Sequence, residues 1–289
     1  MSDQALTPAT LAVAAPRPRR DVVPVRHYGR AAFALFVLFV IVAGVYGLAT
    51  NPNIEWSIVG DYLFNINVLR GLQKTLYMTL LATVLSIAIA VVIAVMRLSE
   101  SRIISGTAAI YVFVFRGVPL IVLLIIVGNL GLFFKVFTVG IPFTDVVFWS
   151  RPARDVMTPF IASVAGLTLA GSGYMSEVVR GGLLAVGRGQ HEAAKSIGLG
   201  SLRTIRYIIL PQALRVIVPP LGNEIIGMLK ASAIVSVIAG GDLLTVVLGI
   251  SGTNFRTIEM LIVATIWYLL VITVLSIGQF FVERRVAER

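Results

Sequence analysis

Long apolar runs dominate this sequence and decide what it can fold into. Residues 75–96 carry no charged side chain, and five further runs are nearly as apolar. A helix needs about 20 mainly apolar residues to cross the hydrocarbon core of a bilayer. Only 13% of the residues are charged and the mean hydropathy is +0.93, which is far from the average of soluble domains. The sequence therefore predicts an all-α polytopic membrane protein.

Six of these runs are predicted to span the membrane. The first follows a basic, proline-containing segment, and its length exceeds the apolar core of a signal peptide, so we expect it to remain uncleaved. The intervening residues 50–74 and 128–157 carry aromatic side chains suited to the membrane interface, and the second stretch has room for a short re-entrant or interfacial helix. The predicted spans are residues 31–49, 75–96, 108–127, 158–179, 216–240 and 258–281.

The distribution of lysine and arginine predicts the orientation of the chain. With the N-terminus inside, 16 of the 24 basic residues fall in cytoplasmic segments and 6 in external ones. The remaining two, Arg116 and Lys230, lie within apolar runs. Because cytoplasmic loops are enriched in Lys and Arg, both termini are predicted to be cytoplasmic, with tails at residues 1–30 and 283–289.

Composition excludes several classes of function. The chain has no cysteine and only two histidines, His27 and His191, so neither a thiolate nucleophile nor a metal centre is expected. The net charge of +10 follows from the orientation bias and lacks a clustered basic face with aromatic residues, so we expect no nucleic-acid partner. No cofactor is expected in the chain itself.

The longest polar stretch between two spans lies in the predicted cytoplasmic loop at residues 180–215. Residues 190–197 are good helix formers, and Glu192 is predicted to lie in the first turn, where negative charge is favoured. Gly198 and Gly200 follow and are expected to end this helix. Ser201 is expected to cap a second short helix, and Pro211 to mark a kink or restart. The charge of the stretch also allows a helix that rests on anionic lipid headgroups.

The spacing of this loop carries a specific resemblance. Glu192-Ala193-Ala194 is followed by Gly198, Ile208 and Leu210-Pro211, which resembles the EAA signature of ABC-importer permeases. Three further phrases resemble segments of the polar amino-acid uptake branch, and the resemblance extends over about residues 70–282. These phrases are "FRGVPLIVLL" at 115–124, "GYMSEVVRGGLLAVGRGQ" at 173–190 and "VPPLGNEIIGMLK" at 218–230.

This resemblance implies a fold, a function and a set of partners. The fold would be the five-helix core of a type I importer at residues 75–282, plus one extra N-terminal helix at residues 31–49. The chain would be the amino-acid permease of a bacterial cytoplasmic membrane. Its partners would be ATPase subunits that bind ATP and Mg²⁺, an extracytoplasmic solute-binding protein, a second permease copy or sister permease, and membrane lipid. The coupling loop at about 188–211 would contact the ATPase through Glu192, Ala193, Ala194, Gly198, Leu199 and Pro211.

Polar side chains inside predicted spans are costly and therefore suggest a function. Glu177 and Arg180 are three residues apart, so they share a helix face and are expected to pair. Glu224 and Lys230 are six apart and do not share a face. The candidates for the substrate path or the subunit interface are Arg116, Glu177, Arg180, Asn223, Glu224 and Lys230. A structural ion pair, or charges that reach the inner interface, is the alternative for Glu177 and Arg180.

Two other classes of function remain open from the residues alone. An ion-coupled secondary transporter would use an intramembrane carboxylate or paired broken helices, and Glu224 beside Pro219-Pro220 is the one hint of it. A membrane-embedded enzyme would need a nucleophile with its base, and the sequence offers no convincing pair.

Overall fold

Residues 28–287 are described in the computed structural model of the chain, and they belong to two compact units that divide after Asn53. The described part of the first unit contains one helix, α1 (Tyr28–Ala49), which is long and apolar enough to cross a membrane. It takes in the last three residues of the predicted tail. Residues 1–27 of that tail lie outside the described residues, as do residues 288–289 at the other end.

The second unit, which begins at Ile54, is a helical bundle with one small hairpin. Its first half contains α2 (Trp56–Leu63), α3 (Ile66–Arg97), α4 (Arg102–Gly117), α5 (Leu120–Gly128), α6 (Leu130–Phe133), β1 (Val136–Gly140), β2 (Val147–Pro152) and α7 (Ala153–Val156). Its second half contains α8 (Pro159–Leu184), α9 (Arg188–Ser196), α10 (Ser201–Thr204), a π-helical turn (Ile205–Ile209), α11 (Leu210–Ala231), a 3-10 helix (Ser232–Ile238), α12 (Leu243–Asn254) and α13 (Thr257–Ala287).

Four helices of the described chain can cross a membrane by length and composition, or five if α4 and α5 count as one broken span. They include one continuous helical segment of 38 residues, Ser201–Ile238, which contains α10, α11 and the turns beside them. Helix α8 has 26 residues but is not among them. Its many glycine, serine and threonine residues lower its hydropathy. This low hydropathy is tolerated because α8 packs against other helices instead of lipid.

The predicted third span is not one straight helix. Helix α4 ends at Gly117, α5 begins at Leu120, and the two axes are bent by 100°. Pro119 cannot donate a backbone hydrogen bond, and it forces Val118 into an extended conformation, so the helix stops. The continuous span predicted for residues 108–127 is therefore wrong, although its Gly and Pro marked the position of the break.

The stretch at residues 128–157, which has room for a short re-entrant or interfacial helix, contains a β-hairpin instead. Strands β1 and β2 pair antiparallel, with Phe137 opposite Arg151 and Val139 opposite Trp149. The only helices described within this stretch, α6 and α7, have four residues each. Alternating aromatic and β-branched residues stabilise such a pair, which explains why extended structure forms here.

Helix α8 forms the centre of the bundle and packs against α3, α4, α5 and α11, most extensively against α3. The α3–α8 interface contains small and polar residues, and the Ser86 hydroxyl donates to the Thr168 carbonyl at 3.2 Å. Small residues let helix backbones approach closely in a membrane. The central apolar cluster that includes Met78, Leu124 and Leu167 fills the remaining space.

A second cluster attaches α2 to the beginning of α13 and to α12. Val59 of α2 lies in one buried apolar cluster with Leu243 and Met260. Arg256, just before α13, pairs with Glu55, just before α2, and the indole of Trp267 donates to the Leu63 carbonyl at 2.8 Å. This end of the unit is therefore held by contacts between residues about 200 positions apart.

Candidate functional site

The loop helix α9 begins two residues earlier than predicted, at Arg188, and ends at Ser196. Glu192 therefore lies in its second turn, and its expected place in the first turn, beside the N-terminal end of the helix dipole, is wrong. The early start follows from Gly187, which takes the non-helical position before the helix. The Glu192 side chain is exposed, as is that of Ala193, whereas Ala194 is only 1% exposed.

Gly198 ends α9 as the sequence predicted. It has a φ of +73°, which is the left-handed conformation that glycine adopts without steric cost, and the Leu199 N–H donates to the Ala194 carbonyl at 2.9 Å. Gly200, and not Ser201, takes the position before α10, so the predicted cap at Ser201 is wrong. The chain therefore turns sharply within four residues and starts a new helix.

The segment after α10 leads into the membrane without a break. A π-helical turn at Ile205–Ile209 joins α10 to α11, and Pro211 lies in the first turn of α11, where its missing N–H is tolerated. The Gln212 side chain donates to the Ile208 carbonyl at 2.9 Å and to the Gln190 side chain of α9 at 3.3 Å. Helix α9 is thus tied directly to the beginning of α11.

Helix α9 has two distinct faces. Successive residues are rotated by about 100°, so Glu192 and Ala193 point in other directions than Ala194. Ala194 faces its own bundle, whereas Glu192 and Ala193 are exposed. The alanines of the signature therefore differ, because Ala194 packs within the chain and only Ala193 is accessible to a partner.

An apolar cluster connects this loop to the bundle. It combines residues from the end of α3, the end of α8, the π-helical turn and the first turns of α11, namely Ala94, Val179, Val186, Ile209, Ala213 and Ile217. Buried apolar contacts of this kind make closely packed elements move together. The chain on either side of the loop is therefore packed directly against α8 and α11.

The predicted pair of Glu177 and Arg180 is present, and the structure adds a third member. Arg180 donates to Glu177 Oε2 through Nη2 at 2.6 Å and through Nε at 2.9 Å. Arg97, the last residue of α3, approaches the other carboxylate oxygen at 3.6 Å. Each of the three side chains is less than a third exposed. One carboxylate therefore joins two cations from two helices.

Arg116 lies at the bend between α4 and α5 and contacts α8. Its guanidinium is 5.2 Å from the centre of the Tyr174 ring, and the Tyr174 hydroxyl donates to the Arg116 carbonyl at 3.3 Å. Arg116 also interacts electrostatically with Glu177 and with half-buried Glu224 of α11. Four of the predicted residues, Arg116, Glu177, Arg180 and Glu224, are thus brought into one group of charges.

The two other candidates within the spans lie elsewhere. Asn223 is exposed on α11 and accepts a hydrogen bond from Gln279 of α13 at 3.2 Å, and Lys230 is exposed near the C-terminal end of α11. Sequence reasoning missed Arg97, Tyr174 and Gln279. Tyr174 is three residues before Glu177 and so shares its helix face, which is the signal that would have found it.

Comparison with known proteins agrees with this arrangement. Residues 82–288 match the family model of the binding-protein-dependent transport system inner membrane component. The chain is 34% identical over 272 residues to the arginine transport system permease protein ArgU of Corynebacterium glutamicum, which covers 94% of this chain and 84% of that protein. It is 29% identical to a probable amino-acid ABC transporter permease protein, YckA of Bacillus subtilis, over 80% of this chain and 97% of that one.

Solved structures share the fold. A crystal structure of an amino acid ABC transporter with histidines has a TM-score of 0.63 and 36% identity, and covers 76% of this chain and 94% of its own. The inward-facing MetNI methionine ABC transporter has a TM-score of 0.60 at 20% identity and shows the fold alone. The predicted importer fold with an additional N-terminal helix is confirmed, and in this family ATP hydrolysis belongs to a separate subunit. The chain belongs to the family of inner membrane components of binding-protein-dependent transport systems.

Proposed function

We propose that this chain is the permease of an ATP-driven importer of amino acids, and that the exposed face of α9 receives the movement of the ATPase. The observation that carries the proposal is the division of α9 into an exposed face with Glu192 and Ala193 and an inner face with Ala194. The amino-acid cargo is supported by the names of the similar proteins, which are arginine and amino-acid permeases.

The shape of the loop supports a docking role. Glu192 offers a carboxylate, and Ala193 is small enough to let a partner surface approach closely. Ile197 and Leu202, on either side of the Gly198 turn, are 75% and 80% exposed. Exposed apolar side chains beside a charged anchor are characteristic of protein interfaces. The partner would be an ATPase subunit with ATP and Mg²⁺ bound to it, and this chain would bind neither.

Movement would reach the membrane through contacts already described. Leu199 and Gly198 fix the end of α9, Gln190 ties it to α11, and the cluster around Val186 and Ala213 joins both to α8. Pro211 would act only by allowing α11 to begin where the loop ends. Rotation of α9 would then tilt α8 and α11 together and change access to the path between spans.

The group of charges around Glu177 suits an amino-acid cargo. A zwitterion carries a carboxylate and an ammonium group, and this group contains guanidinium groups at Arg97, Arg116 and Arg180 beside the carboxylates of Glu177 and Glu224. Arg116 is the exposed cation of the group and is suited to meet a substrate carboxylate. Asn223 and Lys230 would lie on the path wall or at the interface with the second permease copy or sister permease.

The orientation follows the charge bias. Both termini and α9 would be cytoplasmic, and the hairpin of β1 and β2 would face a solute-binding protein outside. The domain limits, with an importer core at residues 75–282 and an independent first span, are part of the same proposal.

The test changes Glu192 to Arg in the complex purified with its ATPase and reconstituted in proteoliposomes. We expect uptake of labelled amino acid to fall at least about tenfold, because a reversed charge at a docking face is repelled by several kcal/mol. Arginine is the first cargo to assay, followed by a panel of the other amino acids. Membrane insertion should be unchanged.

The matched control is Glu100→Arg, which reverses an exposed carboxylate in the turn between α3 and α4 at the same side of the bundle. It should leave uptake near the parent level. Normal uptake by Glu192→Arg would refute the coupling role. ATP-dependent uptake of no amino acid by the parent complex would refute the cargo class and leave the coupling role testable through ATPase stimulation.

A further inference from the structure

A deep apolar groove runs beside the coupling loop on the outside of the bundle. It encloses about 840 Å³ between α3 and α11, with the end of α8 as its floor and α9 at its mouth. None of the described residues that line the groove carries a carboxylate. The apolar lining includes Val91 and Val95 of α3, Leu183 of α8, and Leu214, Ile217 and Leu221 of α11.

The length of the groove matches one leaflet of a bilayer. The α3 wall runs from Ile87 to Leu98, just past the end of the helix, a length of about 16 Å at the rise of an α-helix. Half of a hydrocarbon core is about 15 Å thick. Several wall residues are 40–60% exposed, such as Val95 at 58% and Leu214 at 43%, so a chain in the groove would cover them.

The mouth of the groove is basic. Arg188 and His191 lie about one turn apart on α9, and both line the groove. Neither side chain forms an ion pair within residues 28–287. Apolar walls that end at unpaired basic side chains are complementary to an acyl chain with an anionic headgroup.

We propose that this groove binds one anionic phospholipid, with an acyl chain along α3 and α11 and the headgroup phosphate at Arg188 and His191. The occupant is a lipid and not the ATPase, because the walls along α3 and α11 are apolar over about the depth of one leaflet and end at basic side chains. The bound lipid would bridge α3, α9 and α11. It would thereby hold the coupling loop against the bundle, so coupling would depend on the lipid composition of the membrane.

The test uses a photoactivatable phosphatidylglycerol with its reactive group on the acyl chain. The complete complex is placed in nanodiscs with this lipid, irradiated, and the labelled peptides are identified by mass spectrometry. We expect labels on the peptides that contain Val91, Val95 and Leu214, and far fewer with photoactivatable phosphatidylcholine of the same chain length. The double variant Arg188→Gln, His191→Gln should reduce labelling at least about fivefold, the effect of one cation near an anionic membrane surface.

The matched control is Arg203→Gln, Arg206→Gln, which removes two exposed cations of the same loop that do not line the groove. Its labelling should equal that of the parent. Equal labelling by the two lipids, or loss of labelling in both variants, would overturn a specific headgroup site. Cross-links between two permease chains at the groove would show that a second copy occupies it. None of these results depends on amino-acid uptake, so failure here is distinguishable from failure of the proposed cargo.

Discussion

The carboxylate of Glu177 connects two helices of the bundle at the C-terminal end of α3. It accepts two hydrogen bonds from Arg180 of its own helix and faces Arg97 at the end of α3. Two guanidinium groups this close would repel each other without a negative charge between them. The side chain therefore links α3 to α8 as well as completing a local pair.

Neutralising this carboxylate should destabilise the protein. The Glu177→Gln variant keeps the shape of the side chain, but Arg97 and Arg180 lose their counter-charge. Because both cations are mostly buried, we expect the free energy of unfolding to fall by about 1–3 kcal/mol. The measurement is the denaturation temperature of the purified complex. Glu100→Gln, which neutralises an exposed carboxylate nearby, should not change it. Equal denaturation temperatures for the two variants would show that the three-residue cluster contributes nothing to stability.

The spacing of the residues along the sequence explains which members of the Glu177 cluster could be predicted. Glu177 and Arg180 are three positions apart, so helix geometry alone places them together. Arg97 is 80 positions away, and its contact exists only because α3 and α8 cross at that point. The same distinction between local and tertiary causes holds for the coupling loop. The left-handed Gly198 was predictable from residue type, whereas the burial of Ala194 and the exposure of Ala193 depend on how α9 docks.

At the scale of elements, the position of two neighbouring glycines shows how closely α8 fits its surroundings. A Cβ at Gly182 would overlap the buried side chain of Ile217 on α11 and lie 3.4 Å from the Ala213 carbonyl. A Cβ at Gly181 would meet no atom within 4 Å. The two positions belong to the same helix and differ only in the direction they face.

This pair gives a controlled test of the α8–α11 contact. Gly182→Val should lower stability by about 1–3 kcal/mol, because extra methyl groups in a packed interface force side chains and backbone apart. Gly181→Val has the same intrinsic effect on the helix and should be tolerated. The measurement is the denaturation temperature of each purified variant. A variant at position 182 as stable as its neighbour at 181 would mean that the two helices separate easily.

Elements were predictable where the signal is local. Apolar runs located the long helices, and Gly117 with Pro119 marked the position of the break between α4 and α5. The angle of that break was not predictable, because it depends on Arg116 and Tyr174 holding α4 to α8. The hairpin was not predicted, because its strands are short and the same stretch has room for a helix at the interface.

At the scale of the whole molecule, orientation decides which surfaces meet which partner. The chain has no cysteine, so single-cysteine variants need no further engineering. Thr144 in the hairpin and Ser201 in the coupling loop are both exposed and are expected on opposite sides of the membrane.

A maleimide that cannot cross membranes distinguishes the two sides. In cells whose outer envelope is opened and whose inner membrane is intact, the maleimide should label Thr144→Cys. It should label Ser201→Cys only after the inner membrane is permeabilised. The reverse pattern would invert the orientation and place the coupling loop outside. Labelling of both positions in intact cells would contradict a membrane between them.

The helical segment from Ser201 to Ile238 has a consequence for energetics on the two sides of the membrane. One continuous backbone of 38 residues begins at the coupling loop and ends beside α12, with no flexible linker between its ends. In the proposed importer, a binding event that favours one tilt of this segment at its C-terminal end should favour the same tilt at its N-terminal end. Because linkage is reciprocal, arrival of the loaded binding protein should raise the affinity of the ATPase for ATP by the same factor by which ATP changes the affinity for the binding protein.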